Sequence, residues 1–146
     1  MIGTAAFGPP LTATGISGDV VAAHDAADAV GPSATDGCTQ ILNDVRGRIA
    51  LLDRGTCGFV VKVGNAQAAG ARAVLIGDNV VALPPPGLGG SDPAITIPSG
   101  RISLADATAI RARLTAGESV RARLLLDTSV VAGTDRVRRQ VMLAAL

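Results

Sequence analysis

The sequence has no tryptophan and no tyrosine, and among its 146 residues there are only two phenylalanines, two cysteines (Cys38 and Cys57), one histidine (His24) and one lysine (Lys62). Without aromatic platforms, single-stranded nucleic acid has little to stack on. The formal net charge of +1 supplies no strong field toward nucleic acid or a membrane surface. One histidine and two cysteines, with no CxxC or HExxH spacing, fall short of the usual zinc ligand set. Neither a Walker-type nor a dinucleotide-binding glycine loop occurs. No apolar run approaches the length of a membrane span, and no basic stretch followed by an apolar run marks a secretion signal at the N-terminus. The expectation is a protein without cofactor, metal site, nucleic-acid partner or membrane insertion.

What is present suits one folded domain over residues 1–146. Hydrophobic residues make up 48% and charged residues 17%, a composition that buries a core. Charge is uneven: residues 1–100 hold five basic and eight acidic side chains, and residues 101–146 hold eight and four. A solvated basic flank accounts for that asymmetry.

The apolar pattern alternates between two periods. Strands are predicted at 1–10, closed by Gly8-Pro9-Pro10, at 20–23, at 48–53, at 73–76, at 94–97, at 119–126 and at 137–143. Phe59, Val63, Ala66 and Ala69 fall at helical spacing and predict a helix ended by Gly70. Ser103 followed by Asp106 forms a capping box that opens a second helix, ended near Gly117. Residues 25–37 read as a loop, and 84–93 (PPPGLGGSDP) as the most turn-rich and exposed one. Strand–helix–strand crossovers are expected over 48–76 and 95–126. The remaining strands follow one another directly, which favours a mixed α/β, β-rich domain over a doubly wound sheet.

Few residues here carry reaction chemistry. Cys38 and Cys57 are compatible with one disulfide, with two buried free thiols, or with a nucleophile that recruits His24. Ser91 lies in Gly-Gly-Ser-Asp rather than in a G-x-S-x-G elbow, so turn chemistry explains it. Asp19, Asp25, Asp28 and Asp36 do not match a calcium-loop spacing.

Residues 47–71, GRIALLDRGTCGFVVKVGNAQAAGA, resemble the core of the protease-associated (PA) domain. Gly47, Ile49, Leu51, Arg54, Gly55, Cys57, Phe59, Lys62, Asn65, Ala66, Ala69, Gly70 and Ala71 match that motif, and AVLIGDN through Asn79 continues it. Ala6-Phe7-Gly8-Pro9 and Asp36-Gly37-Cys38 extend the resemblance, which covers roughly residues 5–130. The segment from Gly133 to Val141 resembles a final family segment, but has an Arg where the family usually has a Gly.

The resemblance implies a swivelling β/β/α fold, an open barrel or sandwich of strands with two flanking helices, and a Cys38–Cys57 disulfide. It also implies a non-catalytic protein- or peptide-binding module of a secreted or cell-envelope protein, with an attached peptidase domain as a partner. The alternatives are a spacer without ligand, or a small hydrolase using Cys57 or Ser91 with His24. Candidate peptide contacts are Leu83, Leu88 and Asp92, in or just before the 84–93 loop, and Arg54 and Phe59 at the turn after the third strand. Arg54 and Lys62 are expected to lay their stems on the fold and expose their heads.

Overall fold

The structure is a computed structural model that describes residues 1–127 in full and residues 138–145 as backbone. The order of elements is β1 (Gly3–Thr4), β2 (Ile16–Ala22), β3 (Ile49–Asp53), α1 (Phe59–Ala68), β4 (Ala73–Gly77), β5 (Ser99–Ile102), α2 (Leu104–Thr115), β6 (Val120–Asp127) and β7 (Arg138–Ala145). The strands form one curled sheet in the order β1-β5-β4-β3-β2-β6-β7. Its centre, β2 to β5, is parallel, and antiparallel strands close both sides. β2 divides its length between two partners: residues 16–19 pair with β6 and residues 20–22 with β3. That change of partner lets the sheet curl.

β3 and β4 are buried on both faces, as their unbroken apolar runs predict. Alternate residues serve opposite layers. Ile49, Leu51, Ala73 and Leu75 pack with Ile110 and Ala107 of α2 and with β6. Ala50, Leu52, Val74 and Ile76 pack with Val63 and Ala66 of α1. α2 begins as its capping box predicts, with the Ser103 hydroxyl accepting the Asp106 N–H at 3.0 Å. Among the described residues, no helix is long and apolar enough to cross a membrane.

Four expectations need correction. The N-terminal strand is reduced to Gly3–Thr4, because the next backbone groups bond the 84–93 loop: Ala6 N–H to the Leu88 carbonyl at 2.8 Å, and Leu88 N–H to the Thr4 carbonyl at 3.0 Å. Residues 94–97 are not a strand. The Gln67 amide satisfies them instead, donating to the Ala94 carbonyl at 2.9 Å and accepting the Thr96 N–H at 2.7 Å. The ladder resumes only at Ser99, beyond Pro98. The crossover expected over 95–126 does not join neighbours, since β4, β3 and β2 lie between β5 and β6. The last strand, expected at 137–143, spans 138–145. Position 137 and most of the Gly133–Val141 segment lie outside the described residues.

The seat of α2 depends on a missing side chain. A Cβ on Gly77, at the end of β4, would stand 2.6 Å from the Ala107 Cβ. Replacing Gly77 with Ala should push α2 off the sheet and cost about 1–3 kcal/mol in urea unfolding. An unchanged midpoint would contradict this packing.

Candidate functional site

The parallel strands β3, β4 and β5 end at one edge of the sheet, the place where open α/β sheets leave a crevice. Four segments meet there: the loop 33–38, the turn 54–57, the segment 78–83 and the start of α2. They enclose three adjoining depressions. One lies between Arg54, Cys57, Phe59, Asn79 and Val80. The second, about 390 Å³, adds Asp36, Asp53, Asp78 and Leu104. The third is apolar, about 390 Å³, and lies between Val81, Leu83, Leu104 and Ala105.

Beneath this groove lies a set of paired charges. Lys62 is fully buried, against the expectation of an exposed head. Its ammonium donates to the carbonyls of Asp36 and Gly55, each at 2.6 Å, and faces the Cys38 sulfur at 3.6 Å. Three donors therefore meet three acceptors. Burial pulls its pKa below the ordinary 10.5, against the opposing pull of Asp36, Asp25 and Asp53. Cys38 and Cys57 form the disulfide, which ties the 33–38 loop to the 54–57 turn. No free thiol remains for the Cys57 form of the hydrolase reading. Its base, His24, is exposed.

A second set lies beside the first. Asp53 accepts from Arg111 of α2 at 2.8 Å and from the Thr35 hydroxyl at 2.6 Å. Asp78 is buried and accepts from Arg54 at 3.2 Å and from the Asn79 N–H at 2.9 Å. Its second oxygen lies 3.5 Å from Arg101, whose guanidinium sits 4.8 Å from the centre of the Phe59 ring. Burial alone would raise the Asp78 pKa. The Arg54 bond, the Asn79 and Val80 N–H groups and the Arg101 charge outweigh it and hold the carboxyl below 3.8. Thr56, in the turn, is the one non-glycine among the described residues with positive φ, at 66°.

The sequence candidates separate. Arg54 and Phe59 line the first depression, with the Arg54 side chain 37% exposed. Leu83 lines the apolar one and is 77% exposed. Leu88 is 1% exposed and does not present itself to a partner, because its backbone pairs with Thr4 and Ala6 while its side chain joins the α1-side core. Asp92 lines none of the three depressions and uses its carboxylate to hold the Ala94 N–H at 2.9 Å. Sequence reasoning missed Val80 and Val81, exposed at 49% and 84%, and Leu104. The one available signal was an apolar run, Val80 to Leu83, placed after a strand-ending Gly-Asp-Asn.

Asp78→Asn should leave the buried Arg101 without a counter-charge and cost about 3–5 kcal/mol at neutral pH. The folded pKa of Asp78 is depressed, so its contribution is complete above 3.8 and is lost as pH falls through the folded value. The gap between wild type and variant in chemical unfolding should therefore narrow below pH 3.8. A gap constant with pH would show that Asp78 does not carry it.

Comparison with known proteins follows the same residues. The PA domain model matches residues 16–110. Vacuolar-sorting receptor 1 of Pisum sativum is 38% identical over 80 residues, 51% of this chain and 12% of the receptor. Probable leucine aminopeptidase 2 of Aspergillus fumigatus is 38% identical over 89 residues, 60% of this chain and 18% of that protein. The chain thus spans less than a fifth of these curated relatives. Among solved structures, the aminopeptidase from Aneurinibacillus sp. strain AM-1 superposes with a TM-score of 0.63 at 26% identity, over 100% of this chain and 29% of that one. With more than half of its length matched, the chain belongs to the PA domain family.

Proposed function

We propose that this chain is a non-catalytic protein- or peptide-binding module of a secreted or secretory-pathway protein, and that any peptidase chemistry resides in a separate part of a larger protein. The observation that carries the reading is the groove at the ends of β3, β4 and β5. Exposed Val81 and Leu83 stand on its apolar side, and Arg54 on its polar side. That combination suits an extended peptide with an apolar side chain beside a carboxylate or carbonyl. The relatives agree in kind: a vacuolar-sorting receptor and an aminopeptidase both contain a stretch like this chain. Where a peptidase is attached, the same groove would hold substrate near it or join the two domains. The Cys38–Cys57 disulfide supports an oxidising compartment.

A displayed peptide library panned against the chain, followed by fluorescence anisotropy, tests this reading. We expect saturable binding. Leu83→Ser and Arg54→Ala should each weaken it by about tenfold, the scale of a modest hot spot. Asp92→Ala should leave it unchanged. An absence of saturable binding would favour a spacer, and unaffected Leu83 and Arg54 variants would move the site elsewhere.

A further inference from the structure

The two sulfurs of the disulfide have different surroundings. Cys38 is 7% exposed, and the Lys62 ammonium lies 3.6 Å from its sulfur. Cys57 is partly exposed and lines the depression of about 380 Å³ bounded by Arg54, Phe59, Asn79 and Val80. Two Lys62 donors are taken by strong carbonyl acceptors. The third faces a disulfide sulfur, a weak acceptor, where a thiolate would be a strong one.

Thiol–disulfide exchange is governed by which sulfur an incoming thiolate can reach and by how well the other leaves. Here both point one way. We propose that Cys57 is a site of reversible S-thiolation by small thiols, with Cys38 as the leaving thiolate. The incoming thiol gives its proton to solvent, and its sulfur attacks the Cys57 sulfur. A new S–S bond forms there as the Cys57–Cys38 bond breaks. The bond's electron pair leaves on Cys38, against the Lys62 ammonium. No net oxidation or reduction occurs and no further reactant is needed. Return attack by the Cys38 thiolate on Cys57 expels the small thiol and restores the disulfide.

The Asp36 carboxylate and the N-terminus of α1 act against this direction, and neither reverses it. The Asp36 carboxylate disfavours a thiolate at Cys38, but it is engaged by the Cys38 N–H at 3.0 Å and the Ser33 N–H at 3.4 Å. Asp25 and Asp53, like Asp36, favour the charged form of Lys62. The N-terminus of α1 favours a thiolate at Cys57, but that route requires attack on the buried sulfur. On the open side, Arg54 lines the depression and pairs with Asp78, and Asp36 and Asp53 line the adjoining one, so the charges around the opening are mixed.

The test uses the folded wild-type chain with reduced glutathione, an anionic thiol, followed by acid quench, alkylation of freed thiols and peptide mass spectrometry. We expect glutathione on Cys57 and the alkyl group on Cys38 in nearly all singly modified chains. We also expect adduct formation about tenfold slower in Lys62→Met. Glutathione mainly on Cys38, an even division, or no adduct at millimolar thiol would overturn the proposal. If Lys62→Met fails to fold, the wild-type partition decides alone. An unchanged rate in a folded Lys62→Met would remove Lys62 from the mechanism.

Discussion

The groove rests on one buried ammonium. Lys62 projects from α1 and binds the carbonyls of Asp36 and Gly55, one from each loop that walls the site. An ammonium taken out of water costs several kcal/mol unless every N–H is used. Here the compensation comes from residues far apart in sequence, so the charge is tolerable only when both loops are in place. The disulfide joins the same two loops covalently, through Cys38 and Cys57. Asn65, one turn further along α1, adds a bond to the Gly37 carbonyl at 2.8 Å.

The same logic extends along the strand ends. Asp53 links α2 to the 33–38 loop through Arg111 and Thr35, and Asp78 links the 54–57 turn to β5 through Arg54 and Arg101. Each carboxylate has cationic or hydrogen-bonded partners on different elements. The floor is therefore polar and held from several sides, while the exposed apolar residues Val80, Val81 and Leu83 stand on the rim. Such a division suits recognition: the floor fixes shape and charge, and the rim supplies burial when a partner arrives.

Much of the fold was legible because periodicity is a local property. The run Ile49 to Leu52 suits a strand buried on both faces, and Phe59, Val63 and Ala66 fall at the spacing of a helix lying on it. Leu88 was not legible, since its loop is composed for exposure and its burial depends on backbone bonds to Thr4 and Ala6. Residues 94–97 failed for a similar reason: the Gln67 side chain, on a distant helix, takes the place of a neighbouring strand. Of the site, Arg54, Phe59 and Leu83 were marked by motif or loop composition. Lys62 matched the motif, but its burial was not legible, because none of its side-chain partners lies within a helical turn of it. Leu104 and Val81 meet only because the sheet order brings the end of β4 to the start of α2.

The chain has a single lysine, so labelling lysine with carbon-13 and nitrogen-15 gives one side-chain signal. Its NMR spectrum tests most directly whether a buried ammonium holds the groove together. The account predicts a protonated Lys62 at neutral pH, with ammonium hydrogens slow enough in exchange to be observed, and a titration midpoint below 10.5. A signal typical of a solvent-exposed lysine, or a neutral amine at pH 7, would contradict it.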